Sequence, residues 1–185
     1  MVWGAQLEKA SFPSSYIPTT TIAVARNGDV LTYANAIIDQ SMGSMYCEAT
    51  LLNPGAPTGA VLSICDGDTN DEVGLRYFTT TMRIFSRDAG VIGANNNILP
   101  ATTSQQITKY AMSYEDNRYR EVHSGGALTS DASSLPAGLT DIAIGADIVG
   151  GNGAFGSIKN PIIWDYQLPD AFLQDITRLL NFFSG

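Results

Sequence analysis

Apolar and polar residues alternate in short runs along most of this chain, and Gly, Pro, Asn and Asp clusters interrupt the runs at regular intervals. Such spacing marks many short strands joined by turns. It predicts strands at 21–25, 30–33, 44–52, 60–66, 72–79, 81–87, 105–114, 118–123, 139–146 and 156–166. One segment departs from the two-residue period. Between Pro169 and Asn181, the residues Phe172, Ile176, Leu179 and Phe183 recur at helical spacing, which predicts a helix with one face packed on the strands. Pro169 suits the first helical position, Asp170 the positive end of the helix dipole and Arg178 the negative end. The pattern describes an all-β domain with one short C-terminal helix.

Three segments yield a finer register. The run Asn53-Pro54-Gly55-Ala56-Pro57-Thr58-Gly59 reads as the turn of a hairpin spanning 44–66, and symmetry about Ala56 sets Cys47 opposite Cys65. Opposed cysteines can form a cross-strand disulfide or pack as two small buried thiols. The lack of any secretion signal favours thiols. A second hairpin, 105–123, turns at Glu115-Asp116-Asn117, so that Tyr114 faces Arg118 and Met112 faces Arg120. In 156–166, Ile158, Ile162, Trp164 and Tyr166 share one face, with Lys159, Pro161, Ile163 and Asp165 on the other. Pro161 lacks an N–H to donate, so that strand lies at an edge or turns this position outward.

The first twenty residues have no periodicity, yet carry Trp3, Phe12, Tyr16 and Ile17. They read as an extended arm or linker, 1–20, ahead of a β domain at 21–185. That much apolar surface is expected to dock on the domain, on a neighbouring subunit or on a preceding domain.

Composition narrows the classes of function. A length of 185 residues suffices for one domain with a real core. Charged residues make up only 15%, which leaves a surface of hydroxyl and amide groups suited to hydroxyl-rich ligands or close subunit packing. A net charge of -8 without a Lys/Arg cluster argues against nucleic acid. No apolar run is long enough to span a membrane, and the N-terminus lacks the basic start and apolar stretch of a signal peptide.

Catalytic patterns are missing. His123 is the sole histidine, which removes a two-histidine zinc centre, and no Gly-x-Ser-x-Gly elbow, phosphate loop or dinucleotide fingerprint occurs. Glycosidases of sandwich fold carry paired carboxylates alternating on one strand, and no Glu-x-Asp-x-x-Glu is present. The expectation is a non-enzymatic domain. One loop has metal character: Asp66, Asp68, Asn70 and Asp71 offer oxygens at near-alternate positions, like the start of a calcium loop. Asp71 and Tyr77 stand where such a loop needs Gly and a bidentate Glu, so the segment reads first as an acidic β-turn, with calcium binding as the alternative.

The order of several short motifs resembles a known family. Trp3-Gly4-Ala5-Gln6-Leu7-Glu8 followed by Ser11-Phe12-Pro13-Ser14-Ser15-Tyr16-Ile17-Pro18-Thr19 resembles a domain junction of bacteriophage tail and other virion proteins. The stretches Val24-Ala25-Arg26, Tyr46-Cys47-Glu48, Leu62-Ser63-Ile64-Cys65-Asp66-Gly67, Leu135-Pro136-Ala137-Gly138-Leu139-Thr140 and Gln167-Leu168-Pro169-Asp170 resemble their laminin-G/concanavalin-A-like lectin-type domain. Ser124-Gly125-Gly126 departs from its usual Asn-Gly-Gly turn, and Pro169 from its usual Ser. The resemblance implies a two-sheet antiparallel jelly-roll β-sandwich and a non-catalytic role on a virion. That role is recognition of a host surface glycan or receptor by a tail fibre or appendage, or alternatively a structural role binding other virion proteins. The aromatic arm leads us to expect a homo-oligomer; the resemblance makes a trimer the expected form, as in phage fibres, and Ca2+ the candidate cofactor. Sugar recognition needs aromatic faces ringed by amides. Tyr114 and Tyr119, with Asn95, Asn96 and Asn117 in loops, are the candidate ligand residues.

Overall fold

The computed structural model describes residues 31–34, 41–51, 59–78, 81–100, 107–146, 148, 153 and 156–178. The strands, in chain order, are β1 (Leu31–Ala34), β2 (Met42–Leu51), β3 (Gly59–Cys65), β4 (Glu72–Phe78), β5 (Thr81–Asp88), β6 (Val91–Ile92), β7 (Asn97–Pro100), β8 (Thr108–Glu115), β9 (Arg118–His123), β10 (Thr129–Asp131), β11 (Asp141–Ile144) and β12 (Gly156–Trp164). One helix, α1 (Asp170–Thr177), follows. The strands form two antiparallel sheets. Sheet A runs β1-β11-β3-β4-β5-β6, with β7 also on β5, and sheet B runs β10-β9-β8-β2-β12. The expected two-sheet jelly roll with a short C-terminal helix is the fold observed.

Alternation builds the core. Met45, Cys47 and Ala49 of β2 and Tyr110, Met112 and Tyr114 of β8 point inward, where they meet Leu62, Ile64, Val73, Leu75, Tyr77, Met82 and Ile84 of sheet A. Burying side chains of this size stabilises by roughly 1.5–3 kcal/mol each. A second cluster lies on the outer face of sheet B. Tyr46, Ala111 and Val122 pack there under Leu168 and Leu173, with Trp164 and Ile176 at its margin, so α1 lies across β8 and β9. Leu173 and Thr177 form the buried stripe of α1, while Phe172 stays exposed. Among the described residues no helix is long and apolar enough to cross a membrane.

Several expectations are corrected. Residues 44–66 are not a hairpin: β2 pairs with β8 and β12, and β3 with β11 and β4, so the two strands sit in different sheets. Cys47 is opposite Tyr110, Cys65 is opposite Asp141 and Glu72, and both are buried free thiols. Turn residues are the same for a hairpin and for a crossing between sheets, so the sequence did not distinguish them. The β8–β9 turn is one residue tighter than expected. Asp116-Asn117 is the whole loop, with Asn117 at φ 58°, and Tyr114 therefore faces Tyr119 and Met112 faces Glu121.

In β12 the register shifts between Lys159 and Ile162, where Asn160 sits at φ 50°. This bulge reverses the phase, so Ile158 and Ile163 face the core while Trp164 joins the outer cluster. Among the described residues the strand is the edge of sheet B, one of the two placements Pro161 allows. Pro169 caps α1 rather than opening it, with φ -58° and ψ 145°, and makes no side-chain cap. The strands β6, β7 and β10 were not anticipated. The arm at 1–20, the strand at 21–25, Leu179 and Phe183 lie outside the described residues.

Candidate functional site

Two features of the exterior can meet a ligand. The first is a groove of about 290 Å3 beside α1, lined by Tyr46, Lys109, Ile162, Trp164, Phe172, Asp175, Ile176 and Arg178. Sheet alternation puts Tyr46, Lys109 and Ile162 on the outer face of sheet B, and the bulge in β12 adds Trp164. Phe172, Asp175, Ile176 and Arg178 come from the facing side and end of α1. The apolar floor is open, with Ile162 42% and Phe172 46% exposed. Polar groups rim it. Lys109 Nζ donates to the Arg178 carbonyl at 3.3 Å, Arg178 pairs with Asp175 at 3.3 Å, and Tyr46 Oη donates to Glu48 at 2.9 Å. Burial, then the bond to Glu48, holds the Tyr46 phenol well above its ordinary pKa, so it stays protonated and donating.

The helix is fixed to the sheet at both ends. Arg120 reaches Asp170 at 3.9 Å near its N-terminus. At the other end, Thr177 Oγ1 accepts from the Gly125 N–H at 3.0 Å, and Gln174 Nε2 donates to the Gly126 carbonyl at 3.0 Å. The turn that receives them holds Ser124 at φ 48° and Gly125 at φ 67°. A Cβ on Gly125 would lie 2.4 Å from the Arg178 side chain, so glycine permits this close approach. His123, at the end of β9 beside Tyr110, is half-buried, and burial lowers its pKa.

The second feature lies on the outer face of sheet A, where β4 and β5 interleave arginine with phenylalanine. The Arg76 and Arg87 guanidinium carbons stand 5.0 and 5.2 Å from the centroid of the buried Phe85 ring, and Arg83 stands 4.6 Å from that of Phe78. Arg76 is buried and paired with Glu72 at 2.8 Å. Arg83 and Arg87 are only half-buried. Neutral acceptors orient them: Thr81 Oγ1 and Asn95 Oδ1 for Arg83, and the Thr69 carbonyl for Arg87.

The residues singled out from sequence are divided by the fold. Tyr114 and Tyr119 are fully buried between the sheets, so the expectation that they form a ligand platform is corrected. Both sit on the inward phase of their strands, and burial pushes the Tyr119 phenol up to about 12. Asn95, Asn96 and Asn117 do converge at one end of the sandwich. Asn95 N–H donates to Asp131 at 3.0 Å, Asn96 Nδ2 to the Ser130 carbonyl at 2.7 Å, and Asn117 N–H to the Ser133 carbonyl at 2.9 Å. Their principal task is to tie loops to β10 and its continuation.

In the acidic loop, Asp66 and Asp68 carboxylates accept from backbone N–H groups two residues on, and Asp71 accepts from Ala89 N–H at 2.7 Å. Burial raises the Asp66 pKa, while the Asn70 N–H lowers that of Asp68. Among the described residues no group of three or more His, Cys, Asp or Glu could hold a metal ion. The calcium expectation for Asp66, Asp68, Asn70 and Asp71 thus gives way to a self-bonded turn.

Sequence reasoning missed Arg83, Arg87 and the groove. The Arg-x-Phe-x-Arg alternation of β5 was a legible signal for the first. The groove depends on the bulge and on packing of the helix, which no local pattern reveals.

No protein-family profile matches the chain, and no curated protein matches it in sequence. Its structure, however, resembles solved ones. The CBM40 of Ruminococcus gnavus IT-sialidase superposes with a TM-score of 0.62 at 14% identity, over 83% of this chain and 98% of that one. Domain 4 of AbnA, a GH43 extracellular arabinanase from Geobacillus stearothermophilus solved with arabinotriose, gives 0.61 at 14% identity, over 82% and 72%. The native heptameric SAP-like pentraxin of Limulus polyphemus gives 0.61 at 11% identity, over 84% and 78%. At these identities the likeness establishes fold alone, and that fold is the two-sheet antiparallel jelly roll.

Proposed function

We propose that this domain is a non-catalytic carbohydrate-recognition module, and that it works on a bacteriophage virion as a tail-fibre or appendage domain contacting host surface glycan. The observation that carries the reading is the groove beside α1. Its aromatic and aliphatic floor, from Trp164, Phe172 and Ile162, is rimmed by Lys109, Arg178, Asp175 and the Tyr46 hydroxyl. Sugar rings have just such an apolar face and polar edge. Among the described lining residues Asp175 is the single carboxylate, already paired with Arg178, whereas glycoside hydrolysis needs two carboxyl groups across the bond. Two of the similar structures were solved with sugars: the Ruminococcus gnavus CBM40 with sialyllactose and the arabinanase domain with arabinotriose. A glycan array including host lipopolysaccharides, probed with wild type and W164A, tests it. Wild type is expected to bind at least one glycan, and W164A to bind it about tenfold more weakly or worse, as loss of a stacked ring implies. Clean failure across a broad panel would sink the reading.

A second reading is a structural virion subunit. Leu31 and Tyr33 on edge strand β1, and Val91 and Ile92 on edge strand β6, are exposed large apolar residues that favour contact with a neighbour. Light scattering on the full chain is expected to report a homotrimer. A monomer would defeat this reading and leave the first standing.

A further inference from the structure

We propose that Arg83, Arg87 and Asn95 form a separate subsite for a carboxylate-bearing glycan on the outer face of β5. The proposal rests on the carbohydrate reading above but not on the groove. In a chain of net charge -8, three of the ten cationic side chains stand on β4 and β5 around two rings, and among the described residues Glu72 is the carboxylate paired with them. Glu72 bonds Arg76. Neither Arg83 nor Arg87 has a carboxylate partner among the described residues, although each is half-buried.

Among the described residues, what Arg83, Arg87 and Asn95 leave unspent is donor. Arg83 uses Nε and Nη1 on Thr81 and Asn95, and Arg87 uses Nη1 on the Thr69 carbonyl, while the Nη2 amino group of each bonds no described residue. Asn95 spends its Oδ1 and backbone N–H, and its Nδ2 bonds no described residue. A guanidinium carries five N–H donors and no acceptor, and suits a carboxylate in paired fashion. The patch therefore favours ligands rich in acceptors and negative charge over neutral sugars, whose hydroxyls need acceptors as well. Its geometry is set in advance, because Phe78 and Phe85 stack under the guanidinium planes and the neutral acceptors fix their rotation. Four residues of strand separate the two arginine α-carbons by about 13 Å, which spaces the cations along a polymer rather than around one small anion.

The test is affinity electrophoresis of the full chain in gels containing polygalacturonate, with dextran as the neutral control. Wild type is expected to be retarded by polygalacturonate and not by dextran, with retardation fading as salt rises. The R83Q/R87Q double variant should lose about tenfold or more in affinity. N95D keeps every arginine and its stacking but sets a carboxylate against Arg83, and should lose as much. W164A should bind polygalacturonate like wild type. Equal retardation of wild type and both arginine-face variants overturns the proposal, as does no retardation of wild type at low salt. Glycan-array binding that needs Trp164 alone would leave the groove reading intact while removing this one.

Discussion

Glu121 offers a sharp test of how the sandwich is built. It lies on the inward face of β9, fully buried, opposite Met112. Its presence there has a structural cause in the other sheet. The outer edge of β5 pairs with β7 through Thr81–Arg83 and with β6 through Arg87–Asp88, which leaves a gap between. Ser86 N–H fills part of it by donating to the Ala94 carbonyl at 2.9 Å, and the Ile84 N–H donates across the core to Glu121 Oε2 at 3.1 Å. The other carboxyl oxygen meets no partner, and no cation pairs with the group among the described residues. Burial therefore raises its pKa well above 4.5, only partly offset by the Ile84 bond.

The sign of the linkage follows. Below about pH 4.5 both folded and unfolded chains hold the proton, and Glu121 adds no pH dependence. Above it the unfolded chain releases the proton while the folded one keeps it, so stability falls as pH rises, by ~1.4 kcal/mol per pH unit, until the folded pKa is passed. E121Q keeps an acceptor for Ile84 and cannot ionise. Urea unfolding of wild type and E121Q from pH 4 to 8 is expected to show E121Q gaining on wild type once the pH exceeds about 4.5, and to stop gaining when the folded pKa is passed. E121A, which orphans the Ile84 N–H, should be less stable than E121Q at every pH, by ~1–3 kcal/mol for the unmet donor plus the cavity. A wild-type minus E121Q difference that is flat with pH would refute the reasoning.

Three further outcomes are expected. T177V removes the acceptor for Gly125 N–H at nearly constant shape, and should cost ~1–3 kcal/mol in chemical denaturation. S124G should add ~0.5–1 kcal/mol, because Ser124 pays for a left-handed backbone that glycine adopts freely; a loss of stability would contradict this. Cys47 and Cys65 should resist a thiol reagent at pH 8 until the chain unfolds, since burial pushes their pKa values up to about 12 and about 11. Prompt labelling of the native protein, or an intact mass lower by two hydrogens, would count against it.

The sequence exposed most of the strands because each is a short apolar or alternating run bounded by turn residues; Met45-Tyr46-Cys47 and Tyr110-Ala111-Met112 are continuous apolar runs because both faces of these strands are covered. It hid β6, β7 and β10, whose two to four residues are too short to show a period. Pairing was less legible than strands. The loop after β2 has hairpin chemistry but leads to the other sheet, and one residue of error at Asp116-Asn117 shifted the whole β8–β9 register. The candidate site was legible only in part. Asn95 was found from its loop composition, and the structure places it against Arg83. Tyr114 and Tyr119 were chosen for ring chemistry without regard to phase, and phase buried them.

The kink that Asn160 and Pro161 introduce into β12 has a consequence for assembly. Among the described residues sheet B ends on this strand, and an unbroken edge would be an open template for a strand from another copy. The register shift and the missing proline donor interrupt that template midway, and the opposite border, β10, is only three residues long. Growth by adding strands end on end is thus blocked at both borders of sheet B. Neighbours that meet the domain at sheet B must therefore approach through side chains and packed faces, and contacts of that kind can close a small symmetric particle without seeding a fibre.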